Sequence, residues 1–93
     1  MTERTIKIDN GKIVICHYES GVTEISAYID EVIDRAGPIL VASARRNPFA
    51  KAFTISYAKV GSWGTVTMIG IDRTVERLIE ECRIRNAEVA RMR

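Results

Sequence analysis

Residues 5–18 are TIKIDNGKIVICHY, in which isoleucines alternate with other residues on both sides of Asn10-Gly11. Alternation with a period of two is typical of a strand that buries one face. The Asn-Gly dipeptide supplies the positive φ angles of a two-residue type I′ turn. We therefore predict a β-hairpin in which Asp9 faces Lys12, Ile8 faces Ile13 and Ile6 faces Ile15.

The segment from Thr23 to Ala36 has apolar residues at helical spacing. They are Ile25, Tyr28, Ile29, Val32, Ile33 and Ala36, and the acidic residues Glu24, Asp30, Glu31 and Asp34 lie on the other side. This spacing predicts an amphipathic helix. Ser20 or Thr23 can cap its start, and Gly37-Pro38 is a usual helix stop.

Three further strands are predicted after this helix. Ile39 to Ala44 is apolar on both faces, as an interior strand should be, while Ala52 to Val60 and Thr65 to Ile71 alternate. With Gly61 to Gly64 as the loop, Val60 pairs with Thr65 and Tyr57 with Met68. One face then carries Phe53, Ile55, Tyr57, Val66 and Met68. Because serine and threonine occupy the other face, we expect Phe53, Ile55 and Met68 in the core and Tyr57 near its rim.

The C-terminal segment predicts a helix from about residue 73, with Asp72 as its N-cap. Glutamates lead this helix and arginines close it, which complements the helix dipole. Its apolar stripe consists of Val75, Leu78, Cys82, Val89 and Met92, interrupted by Arg85. Residues 83–93 are too polar to belong wholly to the core, so either they fray in water or a second subunit covers Ile84, Val89 and Met92. We expect a homodimer contact along the helix.

The predicted fold is therefore α+β, in one domain spanning residues 1–93. It has a five-stranded, mostly antiparallel sheet in the order β-β-α-β-β-β-α with two helices packed on one face. A chain of 93 residues and 10.4 kDa has room for one core. Its apolar fraction of 46% and charged fraction of 28% exclude disorder and low-complexity sequence.

Composition also limits the classes of function. The longest apolar runs are four residues, far below the roughly 18 that a membrane helix needs, and the charged first twenty residues do not resemble a secretory signal. We therefore expect a cytoplasmic protein. Two isolated cysteines and the absence of paired carboxylates or a Gly-rich phosphate loop predict no metal site, no cofactor and no catalytic residues, hence not an enzyme. Cys16 and His17 are adjacent on a strand, so they face opposite sides and cannot form a dyad.

The charge distribution favours an anionic partner. Between Arg35 and Ile71 the chain carries five basic residues and no acidic one. The connection from Arg45 to Lys51 combines cations, an amide and an aromatic ring on a short segment braced by Pro48. Such a loop can bind phosphates and stack an unpaired base. Alternatively, it is a solvated turn whose Phe49 folds back onto the core.

Trp63, the only tryptophan, lies in the predicted Gly-Ser-Trp-Gly turn. It could extend the same basic and aromatic surface, or it could simply cover the edge of the sheet. The candidate nucleic-acid-binding residues are Arg45, Arg46, Asn47, Phe49, Lys51, Tyr57, Lys59 and Trp63. The leading hypothesis is a nucleic-acid-binding domain that prefers single-stranded DNA or RNA and has little sequence specificity. The alternative is a protein-interaction or regulatory module that homodimerises through its C-terminal helix.

Residues 39–46 and the following Ala50-Lys51-Ala52 resemble the strand, basic loop and lysine of the Alba family of archaeal chromatin proteins. That family continues into a helix after its lysine, whereas Phe53 to Tyr57 alternates like a strand. We therefore transfer no fold, site or function from this resemblance.

Overall fold

The computed structural model describes residues 1–33 and 35–93, which form an antiparallel sheet followed by one helix. The elements are β1 (Thr2–Ile8), β2 (Gly11–His17), β3 (Thr23–Val32), β4 (Arg35–Arg46), β5 (Ala52–Lys59), β6 (Ser62–Ile69) and α1 (Ile71–Arg91). The six strands lie side by side in chain order, which makes the sheet a meander. The α+β class is confirmed, but the predicted arrangement of five strands and two helices is wrong.

The difference lies in the segment predicted as the first helix, which forms β3 and the start of β4. Thr23, Ile25, Ala27 and Ile29 are all buried, which is a period of two. Ile25 and Ile29 are four residues apart, a spacing common to a helix turn and to one face of a strand. Ala27 distinguishes the two periods, because it is buried while Tyr28 is only half-buried. Asp34, which we placed on the polar side of that helix, lies outside the described residues.

The predicted hairpin exists, but its register is shifted. Ile8 faces Gly11 and Ile6 faces Ile13, so the two-residue turn is Asp9-Asn10 and not Asn10-Gly11. Asn10 supplies the positive φ angle, at 57°. Gly11 instead lies inside β2, where a Cβ atom would collide with the carbonyl oxygen of Tyr28 on β3. The absence of a side chain at Gly11 therefore allows β2 and β3 to approach each other closely.

The hairpin of β5 and β6 also has a different register. Phe53 faces Met68, Ile55 faces Val66 and Tyr57 faces Gly64, so the predicted pairing of Tyr57 with Met68 is wrong. The turn is at Val60-Gly61, and Trp63 belongs to β6. The prediction of a shared face is nevertheless confirmed, with Phe53 and Ile55 fully buried and Tyr57 half-buried.

The helix α1 packs on one face of the sheet and closes the core. Leu78 and Cys82 are buried in the same apolar cluster as the isoleucines of β2 and β3 and Phe53 of β5. The helix begins at Ile71 with Gly70 as its N-cap residue, so Asp72 lies in the first turn and does not cap it. Within the described residues, no helix has the length and apolar character needed to cross a membrane.

The apolar stripe of α1 is occupied by the chain's own sheet. Leu78, Cys82 and Val89 of the predicted dimer seam are buried in the core. The last turns are also held in place, because Asn86 donates to the backbone oxygens of Asp9 and Asn10 at 3.4 Å. Leu78, Cys82 and Val89 are therefore occupied by the domain's own core, whereas Met92 is exposed. A homodimer contact along α1 stays a prediction.

The sheet consequently has two different faces. The helix face holds the core, and the open face carries the alternate residues, which α1 does not cover. Within residues 1–33 and 35–93, α1 is the only helix. Among the residues of the open face are Lys7, Lys12, Cys16, Glu24, Ser26, Tyr28, Leu40, Ser43, Arg45, Thr54, Ser56, Ala58, Trp63, Thr65, Thr67 and Ile69.

Candidate nucleic-acid interface

The connection between β4 and β5 is a braced turn that exposes an aromatic ring. The amide of Ala50 donates to the carbonyl oxygen of Asn47 at 3.1 Å. Pro48 packs against the connection between β2 and β3, where a Cβ atom on Gly21 would lie 3.0 Å from the proline ring. Phe49 projects from this support and is fully exposed. The alternative in which its ring folds back onto the core is wrong.

A shallow hollow of about 160 Å³ lies beside this turn on the open face. It is lined by Arg45, Asn47, Ala50, Ala52 and Thr54. Arg45 lies 3.6 Å from the Glu24 carboxylate, and both side chains are well exposed. Exposed ion pairs of this kind contribute little to stability, so the guanidinium can exchange that carboxylate for a phosphate at small cost. The hollow thus offers a cation, an amide and a hydroxyl next to a free ring.

Three of the predicted site residues, Arg46, Tyr57 and Lys59, lie on the helix face instead. The guanidinium carbon of Arg46 is 4.7 Å from the ring centroid of Phe53. The Tyr57 ring lies under Arg77 at 5.1 Å, and a Cβ atom on Gly64 would come within 2.5 Å of it. The Arg46 and Tyr57 side chains are half-buried. Both residues therefore pack against the domain itself. Lys59, two residues after Tyr57 and paired with Ser62, lies on the same face at the end of β5.

Trp63 and Lys59 lie at the opposite end of β5 from Phe49. Trp63 faces Ala58 across the β5 and β6 pair and is 54% exposed on the open face. Ala52 and Ala58 are six residues apart on β5, so the two ends of this strand are separated by about 20 Å. Phe49 and Trp63 consequently do not form one cluster, because they mark the two ends of a strip.

The side chains between the two rings are short and uncharged. It follows the open-face residues Thr54, Ser56 and Ala58 of β5, flanked by Ser43 on β4 and Thr65 on β6. Among the described residues of the open face, the carboxylate nearest to these side chains is that of Glu24, which pairs with Arg45. Short side chains let an extended ligand approach the sheet closely. We call the surface running from Phe49 along β5 to Trp63 the β5 strip.

The sequence analysis missed a second aromatic residue on the open face. Tyr28, assigned there to a helix core, lies on β3 with the Lys12 ammonium 5.6 Å from its ring centroid. Lys7 faces Lys12 on the adjacent strand. The alternation of residues 23–29 was the signal that could have placed Tyr28 on this face.

The two cysteines differ in burial, because Cys82 is buried and Cys16 is only half-buried. Burial raises the pKa of the Cys82 thiol to about 11. Burial also raises the pKa of Cys16, and the Glu3 carboxylate, 3.7 Å from its sulfur, adds to this shift. His17 lies on the other face of β2 with its Nδ1 atom 3.1 Å from the Thr23 hydroxyl, as the sequence predicts for adjacent residues of a strand.

We expect a thiol reagent such as Ellman's reagent to modify one cysteine of the folded protein. Cys16 should react slowly, at a rate that rises with pH, because the thiolate is the nucleophile. Cys82 should react only after unfolding, because it is buried and its pKa is raised to about 11. The check is absorbance with and without denaturant, using the variant Cys16→Ser to assign the signal. Equal reaction of both thiols in the native protein would contradict this account.

Within residues 1–33 and 35–93, no three His, Cys, Asp or Glu side chains come together in a metal-binding arrangement.

Comparisons with protein-family models, with curated proteins and with solved structures found no match to this chain.

Proposed function

We propose that the protein binds single-stranded DNA or RNA along the β5 strip. The observation that carries the proposal is the exposure of one aromatic ring at each end of an uncharged, uncovered strip, with the exposed cation Arg45 beside one end. Phe49 lies in the turn beside the Arg45 hollow and two residues before Lys51, and Trp63 lies at the far end. These residues provide stacking at two points and phosphate contacts near Phe49.

The chemistry favours an unpaired strand over a duplex. Stacking on Phe49 or Trp63 requires the face of a base, which a duplex keeps covered. Each stacked base contributes about 1–3 kcal/mol, and every base has such a face, so sequence specificity should be slight. Arg45 and Lys51 bind phosphates, while Thr54 and Ser56 can hydrogen-bond to sugar or base edges. Arg46, Tyr57 and Lys59 are left out of this interface because they lie on the helix face.

The proposal is tested by fluorescence anisotropy with a labelled oligothymidylate of about 12 nucleotides, within the size range of single-strand binding modules. Binding should weaken as NaCl rises from about 50 to about 200 mM. Two phosphate contacts, at Arg45 and Lys51, predict a log-log slope of roughly −1.4, at about −0.7 per contact. No binding at the lower concentration, or binding that salt does not change, would refute the proposal.

The matched variants are Arg45→Ala and Arg83→Ala. Each removes an exposed arginine that pairs with a glutamate, Glu24 in the first case and Glu80 in the second. Arg45 lies on the open face, whereas Arg83 lies on α1. Only Arg45→Ala should lower the affinity severalfold and make the salt slope shallower by about 0.7. Equal loss from both variants would indicate attraction by overall charge and would contradict a site on the β5 strip.

A further inference from the structure

The two edge strands of the sheet differ in charge. The edge strand β1 carries Glu3, Arg4 and Lys7 within seven residues. The other edge strand, β6, carries no charged residue, and the chain is uncharged from Val60 to Ile71. Natural proteins protect free edges with charges, prolines or bulges, because unpaired backbone groups there accept another strand. One edge of this sheet has such protection by charge and the other does not.

The backbone of β6 is also regular. All eight of its residues pair with β5 without a register shift, and the strand contains no proline. Its open-face side exposes two large apolar side chains, Trp63 at 54% and Ile69 at 63%. A long, regular, uncharged edge that exposes apolar side chains is a template for strand addition.

We propose that β6 pairs antiparallel with β6 of a second copy of this chain, around a two-fold axis at Val66. In this arrangement Val66 faces its own counterpart and Thr65 faces the partner's Thr67. Trp63 faces the partner's Ile69, and Gly64 faces the partner's Met68. The proposal rests on β6 and does not depend on nucleic-acid binding, although Trp63 belongs to both surfaces.

Self-complementarity supports a second copy as the occupant and selects this register. In the joined sheet, the core-facing residues of both copies must lie on the same face. The pairing register can therefore change only in steps of two residues. The register centred on Val66 pairs every residue from 63 to 69 and places each exposed apolar side chain opposite the other. Centring on Thr65 would place Trp63 opposite the partner's Thr67, and centring on Thr67 would leave Trp63 beyond the paired segment. No charge faces a like charge in the chosen pairing.

This dimer would join two open faces into one continuous surface of twelve strands. The two β5 strips would then lie on the same face, with the two copies of Trp63 near its centre. The two helices would lie together on the opposite face. The two-fold symmetry closes the assembly, so a dimer and not a fibre is expected.

The test compares two double variants of residues that are exposed on β6. In T65K/T67K, each lysine faces a lysine of the partner. In T65K/T67E, each lysine faces a glutamate in the proposed register, whereas a register centred on Thr65 or Thr67 would bring like charges together. Thr5→Lys makes the same kind of change on the exposed face of the opposite edge strand and serves as the control.

Sedimentation equilibrium without nucleic acid should give a wild-type mass of twice 10.4 kDa at high concentration. Thr5→Lys and T65K/T67E should also dimerise, while T65K/T67K should dissociate at least roughly tenfold more readily than T65K/T67E. Circular dichroism and thermal unfolding will confirm that all variants are folded. A wild-type monomer up to millimolar concentration, or a T65K/T67K dimer as stable as that of T65K/T67E, would overturn the proposal.

Discussion

Replacing Phe53 by alanine should lower the free energy of unfolding by about 3–5 kcal/mol. Phe53 is the largest fully buried side chain, near the start of β5 and under the guanidinium of Arg46. Its truncation removes buried apolar area and leaves a cavity that the surrounding isoleucines can fill only in part. Since domains of this size are stable by about 5–15 kcal/mol, this variant should lose much of its stability. The measurement is urea unfolding followed by circular dichroism.

The matched control is Phe49→Ala, which deletes the same side chain from a fully exposed position. Its unfolding free energy should stay within about 0.5 kcal/mol of the wild-type value. The chain contains only these two phenylalanines, so the pair separates burial from residue type. A similar loss of stability in both variants would contradict the assignment of Phe49 to the surface and Phe53 to the core.

Removing both exposed rings, in Phe49→Ala/Trp63→Ala, should weaken binding of a single-stranded oligonucleotide by about 2–6 kcal/mol. This corresponds to a loss of roughly 30-fold or more. Each single variant should cost about half, because sites about 20 Å apart along a strand act independently. The measurement is anisotropy titration at low salt.

The control for this prediction is Met92→Ala, which removes an exposed apolar side chain just beyond α1. It should bind as the wild type does. If the double variant also bound normally, the rings would have no part in binding. If either single variant lost as much as the double, the two ends of the β5 strip would not act as separate contacts.

Much of the sheet could be predicted from local patterns, since alternation located β1, β2, β5 and β6. Registers could not be predicted equally well, because they depend on neighbouring strands. Gly11 is an example, since its requirement comes from the carbonyl of Tyr28 on β3. The prediction for the segment of β3 was wrong for another reason. The spacing of Ile25 and Ile29 fits both a helix and a strand.

The candidate site was predicted in composition but not in arrangement. The exposure of Phe49 and Trp63 is consistent with their choice from the sequence. Their separation follows from topology, because the connections before and after one strand of a meander lie at opposite ends. Arg46 and Tyr57 lie on the helix face because each follows an open-face residue, Arg45 or Ser56, and side chains alternate along a strand. Tyr28 was hidden by the wrong helix prediction.

The emission of Trp63 tests the central claim most directly, because it is the only tryptophan and lies at one end of the β5 strip. Titration with a single-stranded oligonucleotide at low salt should quench this emission to saturation, and added NaCl should restore it. An emission that stays unchanged at saturating oligonucleotide would contradict a nucleic-acid interface on the open face of the sheet.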